Sequence, residues 1–489
     1  MKIHSVKFNF IMNFILTASS ILFPVITFPY VSRVLLSVGN GKVAFASSVI
    51  AYFTMFASLG IPTYGIRACA KVRDDREKLS KTVQELLIIN SVTMFLTCAV
   101  FVLSVIFVPK FAAEKELHVI NGIGMLLNMF AVTWLYNALE QYVYITICNL
   151  VVKVVSMVLM FLLVKRPEDY IIYGAITVFA GCASYVFNFI YSYKFVSFKK
   201  RGSYEFRQHI RPILIFFAMS AAISVYTNLD VVMLGFMKGD REVGYYNAAV
   251  KVKTILVTFI TSLGTVLLPR LSYYVKKDRK EEFYQMIGKA ANFVVILGLP
   301  LVIYFVMFAK ESILFLAGTD FGGAVLPMML LMPAVLFIGL SNITGIQVLT
   351  PHNEEQKVLY SILYGAVADF VLNLILIPKF ASSGAAFATL MAEGIVLVVQ
   401  CMYLKDIVRK ILGQVSVWKI VTASAGASIA GLAVKLLVNA GAFVVLLISA
   451  AVFFGIYGIL LLVLKEPFVT GFGKTMVSGL CKGEKNGKI

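Results

Sequence analysis

The stretch Phe8–Leu36, FNFIMNFILTASSILFPVITFPYVSRVLL, decides the class of this chain. A secretory leader has an apolar core of about 7–15 residues followed by small residues at a cleavage site. Here the apolar run continues through Phe23, Pro24, Phe28, Pro29 and Tyr30. About 20 mostly apolar residues cross the hydrocarbon core as a helix. The run therefore reads as a first membrane span that stays with the chain.

The same scan along the rest of the sequence predicts fourteen spans. They fall near 9–35, 43–66, 83–108, 118–139, 142–164, 170–196, 211–237, 243–269, 287–309, 324–349, 357–377, 383–404, 416–436 and 441–464. The junction near Glu140 is the least marked, because apolar character there is almost unbroken. Composition agrees: 60% of residues are hydrophobic, 14% are charged and the mean hydropathy is +0.88. A soluble domain has about 45–50% apolar and about 25% charged residues. No stretch between the apolar runs is long enough for a soluble domain, so the expected fold is an all-α polytopic membrane protein.

Lys and Arg give an independent test, since they accumulate in cytoplasmic loops. With the N-terminus inside, the inner segments hold Arg67, Lys71, Arg73, Arg76, Lys78 and Lys81, then Lys194, Lys199, Lys200, Arg201, Arg207 and Arg211. They also hold Arg270 to Lys280, Lys405 to Lys410 and the tail lysines from Lys465 to Lys488. About 30 of the 44 basic residues fall inside and about 11 outside. Both termini are thus expected in the cytoplasm. The net charge of +19 reads as a topology signal with added attraction to anionic lipid, not as a nucleic-acid footprint.

An offset of about 200 residues brings two regions into register. Gly41–Ser48 lies against Arg241–Ala248, Gly60 and Arg67 lie near Gly264 and Arg270, and Asp75-Arg76 matches Asp278-Arg279. In order, these matches suggest two six-helix lobes related as parallel repeats, residues 1–200 and 201–405. Spans 13 and 14 (406–464) would be appended, followed by a tail, 465–489. Small residues at four-residue spacing, Gly384, Ala388, Ala392 and Ala423, Ala427, Gly431, suit close helix packing.

Ionisable groups inside spans are costly and by default face a cavity or a partner. Lys153 sits near the middle of span 5. Asp230 in span 7 and Lys251 in span 8 lie at similar depth and could pair, whereas Lys253 is turned about 200° away. Asp369 and Glu393 share a depth in spans 11 and 12. Arg33 and Arg67 lie nearer the ends of spans 1 and 2, on opposite sides. One reading makes Asp230–Lys251 a structural ion pair and lets both arginines snorkel to the head groups. The other makes Lys153 and Lys251, one from each lobe, with Arg33 and Arg67, a cationic site for an anionic head group. Asp369 and Glu393, with Asp230, would then bind a coupling ion or pair within the bundle. Pro24 and Pro29 each remove a helix hydrogen bond and form either a hinge or a static kink.

Other chemistry finds no support. There is no GxxxxGK[ST], no Gly-x-Ser-x-Gly, no CxxC and no HExxH. Cys69, Cys98, Cys148, Cys182, Cys401 and Cys481 read as small apolar packers. No metal or cofactor is expected.

At these residues the sequence resembles the Wzx-type polysaccharide flippases, within the larger group that also holds the multidrug and toxin extrusion transporters. The likeness lies in Phe28-Pro-Tyr-Val-Ser-Arg-Val-Leu35, Ala57-Ser-Leu-Gly-Ile-Pro-Thr-Tyr-Gly-Ile-Arg67 and Trp134-Leu-Tyr-Asn-Ala-Leu-Glu140. It continues in Asn228-Leu-Asp-Val-Val-Met-Leu-Gly235, Tyr245-Tyr-Asn-Ala-Ala-Val-Lys251, Leu376-Ile-Pro378 and Gly384–Glu393. Leu36 departs from the pattern, standing where the family often has glycine. The resemblance implies a V-shaped, two-lobed bundle with a polar central cavity. It implies a cargo of oligosaccharide repeat units, for O-antigen or capsule, carried on undecaprenyl pyrophosphate across a bacterial inner membrane. A polysaccharide polymerase and chain-length proteins would be partners.

Two alternatives stand beside it. A small-molecule or cation antiporter of the same fold would favour a cavity dominated by carboxylates. A polymerase or acyltransferase would need a large outer loop carrying arginines or a histidine site, and the outer loops here are short. The chain is expected not to be an enzyme.

Overall fold

The computed structural model describes residues 6–199 and 203–470. Lys200, Arg201, Cys481 and the lysines beyond residue 470 lie outside them. The described residues form helices with no strand. In chain order these are α1 (Val6–Ser58), α2 (Ile61–Lys71), α3 (Arg76–Phe107), α4 (Pro109–Ala113), α5 (Lys115–Leu127) and α6 (Thr133–Ala138). Next come α7 (Tyr142–Leu163), α8 (Tyr170–Ser192), α9 (Arg207–Met237), α10 (Asp240–Lys276), α11 (Lys280–Met307) and α12 (Ala309–Leu316). The last are α13 (Val325–Asn342), α14 (Glu355–Tyr403), α15 (Lys405–Leu412), α16 (Val417–Leu437) and α17 (Ala442–Val463).

Among the described residues eleven helices are long and apolar enough to cross a bilayer, or twelve if the bent pair Asp240–Ser262 and Leu267–Lys276 counts as one span. The expected count was fourteen, and the backbone accounts for much of the difference. At 1.5 Å per residue, the 53-residue α1 would run about 80 Å if straight, against a hydrocarbon core of about 30 Å. It is not straight: Leu36 leaves helical geometry at φ 57°, ψ −175°. The 49-residue α14 breaks likewise at Ala381, φ 48°, ψ −129°. There the chain doubles back, because a Cβ built on Gly384 would fall 2.5 Å from the carbonyl oxygen of Leu376. Pro24 and Pro29 lie inside the first arm of α1, which stays helical through both, so the sharp break falls at Leu36 instead.

The chain forms two compact units that divide between Asn247 and Ala248. In the first, α9 lies along α1. Tyr52 donates to the Val225 carbonyl at 3.3 Å, the Phe56 and Phe217 rings are 5.5 Å apart, and Gly60 leaves no room for a Cβ beside the Phe217 backbone. The weakly marked junction near Glu140 is an elbow. After α5 the chain makes a short 3₁₀ turn, then α6, and turns at Glu140, whose φ is 56°. The elbow is anchored by Tyr136, fully buried, whose hydroxyl donates to the Asn188 carbonyl at 2.5 Å. Trp134 packs on Gly65, and Leu79, Leu86, Leu135, Phe195 and Ile213 complete the core.

In the second unit α16 and α17 pack together and onto α11 and α12 through Tyr304, Phe308, Ile420, Phe453 and Tyr457. Ala423 and Ala427 are fully buried, and Gly431 leaves 3.3 Å between a built Cβ and the Phe453 ring. The four-residue stripe of small residues is thus a helix-packing face. Buried Glu466 fastens the end of α17: it accepts from Asn292 and from the Val469 amide, each at 2.8 Å. Large apolar side chains face outward, with Leu436 85% and Trp418 78% exposed, as a lipid solvent permits.

Candidate functional site

Alternate loops gather at opposite ends of the first unit. At one end Lys42 pairs with Glu114 at 2.6 Å, Tyr170 donates to Glu114 at 2.8 Å, and Lys110 pairs with Asp240 at 2.6 Å. These residues come from the connections after the first, third, fifth and seventh predicted spans. At the other end Arg73 pairs with Glu140 at 3.0 Å and Lys81 with Glu205 at 2.6 Å, and Gln84 donates to the Ser197 carbonyl at 2.5 Å. These join the connections after the second, fourth and sixth. The Lys81 ammonium holds the Glu205 carboxyl below the usual carboxylate range. Beside this clasp lies a buried relay: His209 Nε2 meets Glu85 at 2.8 Å, and its Nδ1 meets the Tyr64 hydroxyl at 2.8 Å. Glu85 and His209 are 124 residues apart in sequence, and no local pattern announces their pairing.

Lys153 stands half-way along α7. Its ammonium donates to Ser19 Oγ at 3.0 Å and to Ser20 Oγ at 2.8 Å on α1. Both serine hydroxyls donate onward to the Leu16 carbonyl, which leaves their lone pairs for the lysine. No carboxylate among the described residues lies within 4.0 Å of it. A charge held by neutral oxygens alone keeps its capacity to attract an anion.

The other expected residues are scattered. Arg33 is exposed, and its guanidinium reaches back one turn to the Pro29 carbonyl at 2.5 Å. Arg67 is exposed on α2. Asp230, 5% exposed, accepts a hydrogen bond from Tyr246. Lys251 belongs to the second unit, half-buried on α10.

Asp369 and Glu393 lie on the two arms of α14, both buried. Gln400 donates to Ser361 at 3.0 Å and accepts from Thr344 at 2.6 Å, while Gly384 meets the Ile377 amide across the same hairpin. Those two cross-arm pairs fix the register. Eight residues from Ser361 toward the turn is Asp369, and eight back from Gln400 is Ala392, the neighbour of Glu393. Ser361, Gly365, Asp369, Asn373 and Ile377 form one buried stripe at four-residue spacing, a signal readable in the sequence. Among the described residues no cluster of three or more His, Cys, Asp or Glu side chains could hold a metal.

The chain is similar over most of its length to solved membrane transporters. Against the lipid II flippase MurJ in an inward closed conformation the TM-score is 0.63, at 16% identity, covering 94% of this chain and all of that one. Against an inward-facing multidrug transporter of the MATE family the TM-score is 0.59, at 11% identity, covering 78% of this chain and 95% of that one. Fold and span pattern define a multi-pass helical membrane protein of the transporter fold that these two share. Among curated sequences it is 22% identical over 413 residues to a protein of Escherichia coli K12 named "Putative O-antigen transporter", covering 82% of this chain and 97% of the relative. The sequence profile of the polysaccharide biosynthesis protein family matches residues 6–275, more than half the chain, and the chain belongs to that family. This agrees with the resemblance carried by Phe28–Leu35 and Ala57–Arg67.

Proposed function

We propose that this protein is a flippase for lipid-linked oligosaccharide. It turns repeat units carried on undecaprenyl pyrophosphate from the inner to the outer leaflet of a bacterial membrane by alternating access. The observation that carries the reading is Lys153. A membrane-embedded ammonium braced by Ser19 and Ser20, with no described carboxylate beside it, suits a pyrophosphate head group whose charge is spread over several oxygens. Family membership and the name of the Escherichia coli relative support the same cargo class. Lys251, Arg33 and Arg67 complete the proposed substrate-binding set. Asp230, Asp369 and Glu393 are its ion-coupling candidates, and Pro24 and Pro29 its hinge.

In this reading the chain has fourteen spans, with Leu36 and Ala381 as two of the turns between them. Six spans make each lobe, 1–200 and 201–405, and both termini are cytoplasmic. A polysaccharide polymerase and chain-length proteins act after it, and it makes or breaks no covalent bond itself. The buried carboxylates of α14 favour a second reading, a cation or small-molecule antiporter of the same fold.

Deletion in the native host separates the two. Loss of surface polysaccharide with accumulation of lipid-linked intermediates on the cytoplasmic side supports flipping; normal polymer with altered drug tolerance rejects it.

A further inference from the structure

At the end of the first unit where Arg73 meets Glu140, the structure holds a cavity of about 570 Å³ that the transport reading does not use. Its lining comes from three separate segments: the passage from α2 into α3, Leu139 after α6, and the chain after α8. Arg73 and Asp74 lie between α2 and α3, Arg76 opens α3, and Lys194 follows α8. Its floor is apolar: Leu79, Leu139 and Phe195, none more than 6% exposed, belong to the unit's core. The floor is therefore rigid, while the charged rim is open.

The rim's charges are not spent on one another. Arg73 is engaged by Glu140 at 3.0 Å, which fixes its position without burying it, since its side chain stays 42% exposed. Lys194 rests over the Tyr191 ring, 5.3 Å from its centre, and donates to the Tyr191 hydroxyl, a neutral partner. Arg76 is exposed at the first position of α3, where the positive end of the helix dipole adds to its charge. The Asp75 carboxylate caps α3, accepting from the amides of Glu77 and Lys78, and pairs with the Lys78 ammonium at 3.3 Å. Among the described lining residues three cations face one acid, Asp74, and Glu140 at the rim offsets Arg73, which leaves Arg76 and Lys194 in excess.

A basic rim over an apolar floor, at the loop end of a helix bundle, recognises an anion that carries a hydrocarbon tail. We infer that this bowl is a binding site for a phosphate-bearing lipid head group, outside the site around Lys153. At about 570 Å³ it has room for a phosphoryl group together with the first carbons or sugars attached to it. Basic pockets between transmembrane helices bind anionic lipid head groups in this way. Two sources share the chemistry, an anionic phospholipid of the bilayer and a prenyl diphosphate of the cargo class proposed above. Only the second arm rests on that proposal.

The test uses the full-length protein in a zwitterionic detergent. Binding of phosphatidylglycerol, farnesyl diphosphate, phosphatidylcholine and inorganic diphosphate is followed by native mass spectrometry. The bowl predicts saturable binding of phosphatidylglycerol or farnesyl diphosphate, weakened about tenfold or more by Arg76→Ala with Lys194→Ala. The control Lys276→Ala with Lys277→Ala, on a basic stretch of the second unit, should bind like the parent. Size-exclusion profiles of both variants keep a folding defect apart from a binding defect.

Preference for farnesyl diphosphate assigns the bowl to cargo, and preference for phosphatidylglycerol assigns it to the bilayer. Three results overturn the inference. Phosphatidylcholine binds as well as phosphatidylglycerol, inorganic diphosphate binds as well as its farnesyl ester, or both double variants weaken binding equally. Because binding is read without transport, its failure leaves the flippase reading standing. A polysaccharide-positive deletion strain would leave the phospholipid arm standing.

Discussion

Gly41 and Gly244 sit at exchanged positions of one contact. A Cβ on Gly41 would fall 1.7 Å from the Asp240 carbonyl oxygen, and a Cβ on Gly244 would fall 2.1 Å from that of Ser37. Ser37 precedes Gly41 by the same interval as Asp240 precedes Gly244, and each glycine lies 203 residues from its counterpart. Arg67 and Arg270, and Asp75 and Asp278, keep the same offset. The contact is reciprocal: each glycine backs onto the carbonyl that opens the other's turn of helix. It sharpens the offset of about 200 legible in the sequence.

Either glycine is therefore intolerant of any side chain. Gly41→Ala and Gly244→Ala should each cost more than about 3 kcal/mol, because the obstacle is backbone and cannot rotate aside. Purified yield and thermal unfolding would show it. Gly181, with nothing within 4 Å of a built Cβ, is the control and should accept alanine. Parent-like stability of Gly41→Ala would refute the close approach.

The same offset links Leu36 to Gly239. Both adopt positive φ, 57° at Leu36 and 87° at Gly239, but only one of them is glycine. A branched side chain in this region carries strain of about 1–3 kcal/mol. Leu36 is 39% exposed, so its removal gives up little packing. Leu36→Gly should raise the unfolding midpoint; a lower midpoint would mean that the leucine's contacts outweigh the strain. The departure from the family pattern, a detail of one span end in the sequence, is the point at which α1 leaves helical geometry.

What was legible divides along this line. Apolar length and basic alternation act within one segment at a time, so the helical membrane class and the alternation of loops between two ends of the first unit could be read directly. The fourteen expected spans, by contrast, stand against eleven or twelve among the described residues. The clasps at the two ends, Lys42–Glu114 and Lys81–Glu205, obey that alternation. The Ser19 and Ser20 partners of Lys153 lie more than 130 residues away, and the bowl draws on three loops. Such sites depend on which helices become neighbours, and hydropathy carries no information about that. The elbow at Glu140 was blurred for another reason: Trp134, Leu135 and Tyr136 are buried hydrophobic residues, so apolar character runs up to the turn itself.

The Glu85–His209 pair gives a stability prediction. Glu85 is 1% exposed, and its carboxylate accepts from the Glu205 amide at 2.7 Å as well as meeting His209. Removing one member of a buried hydrogen-bonded pair leaves the other unsatisfied and costs about 1–3 kcal/mol, whereas replacing both by groups that can bond each other costs less. His209→Ala should unfold at markedly lower temperature, and Glu85→Gln with His209→Gln should recover most of the loss. Additive losses in the double variant would show that the two side chains act independently.

At the same end, acid should loosen the loop before it loosens the core. The Glu205 carboxyl is held low by Lys81, so its folded-state value lies below its unfolded one. Its contribution is complete above the ordinary carboxylate range and disappears as pH falls through the depressed value. Protection of the segment 203–206 against hydrogen exchange, taken relative to the intrinsic rate at each pH, should therefore fall on acidification below that range, and Glu205→Gln should show low protection already at neutral pH. Protection unchanged with pH in the parent would contradict the ion pair.

Lys153 offers the most direct test of the proposed head-group site. If the ammonium binds the head group, Lys153→Ala should abolish polysaccharide export at normal protein level, while Lys153→Arg keeps the charge and retains part of it. Arginine is longer and planar, and it cannot meet Ser19 and Ser20 as a compact ammonium does. Partial activity is thus expected, and Ser19→Ala with Ser20→Ala should change it little, since those hydroxyls brace the lysine and do not carry the charge. A purely structural lysine would behave otherwise: both serine and lysine variants would lower the unfolding midpoint together and leave export per folded molecule unchanged. Full export by Lys153→Ala would remove the cationic site, and with it the observation on which the flippase reading chiefly rests.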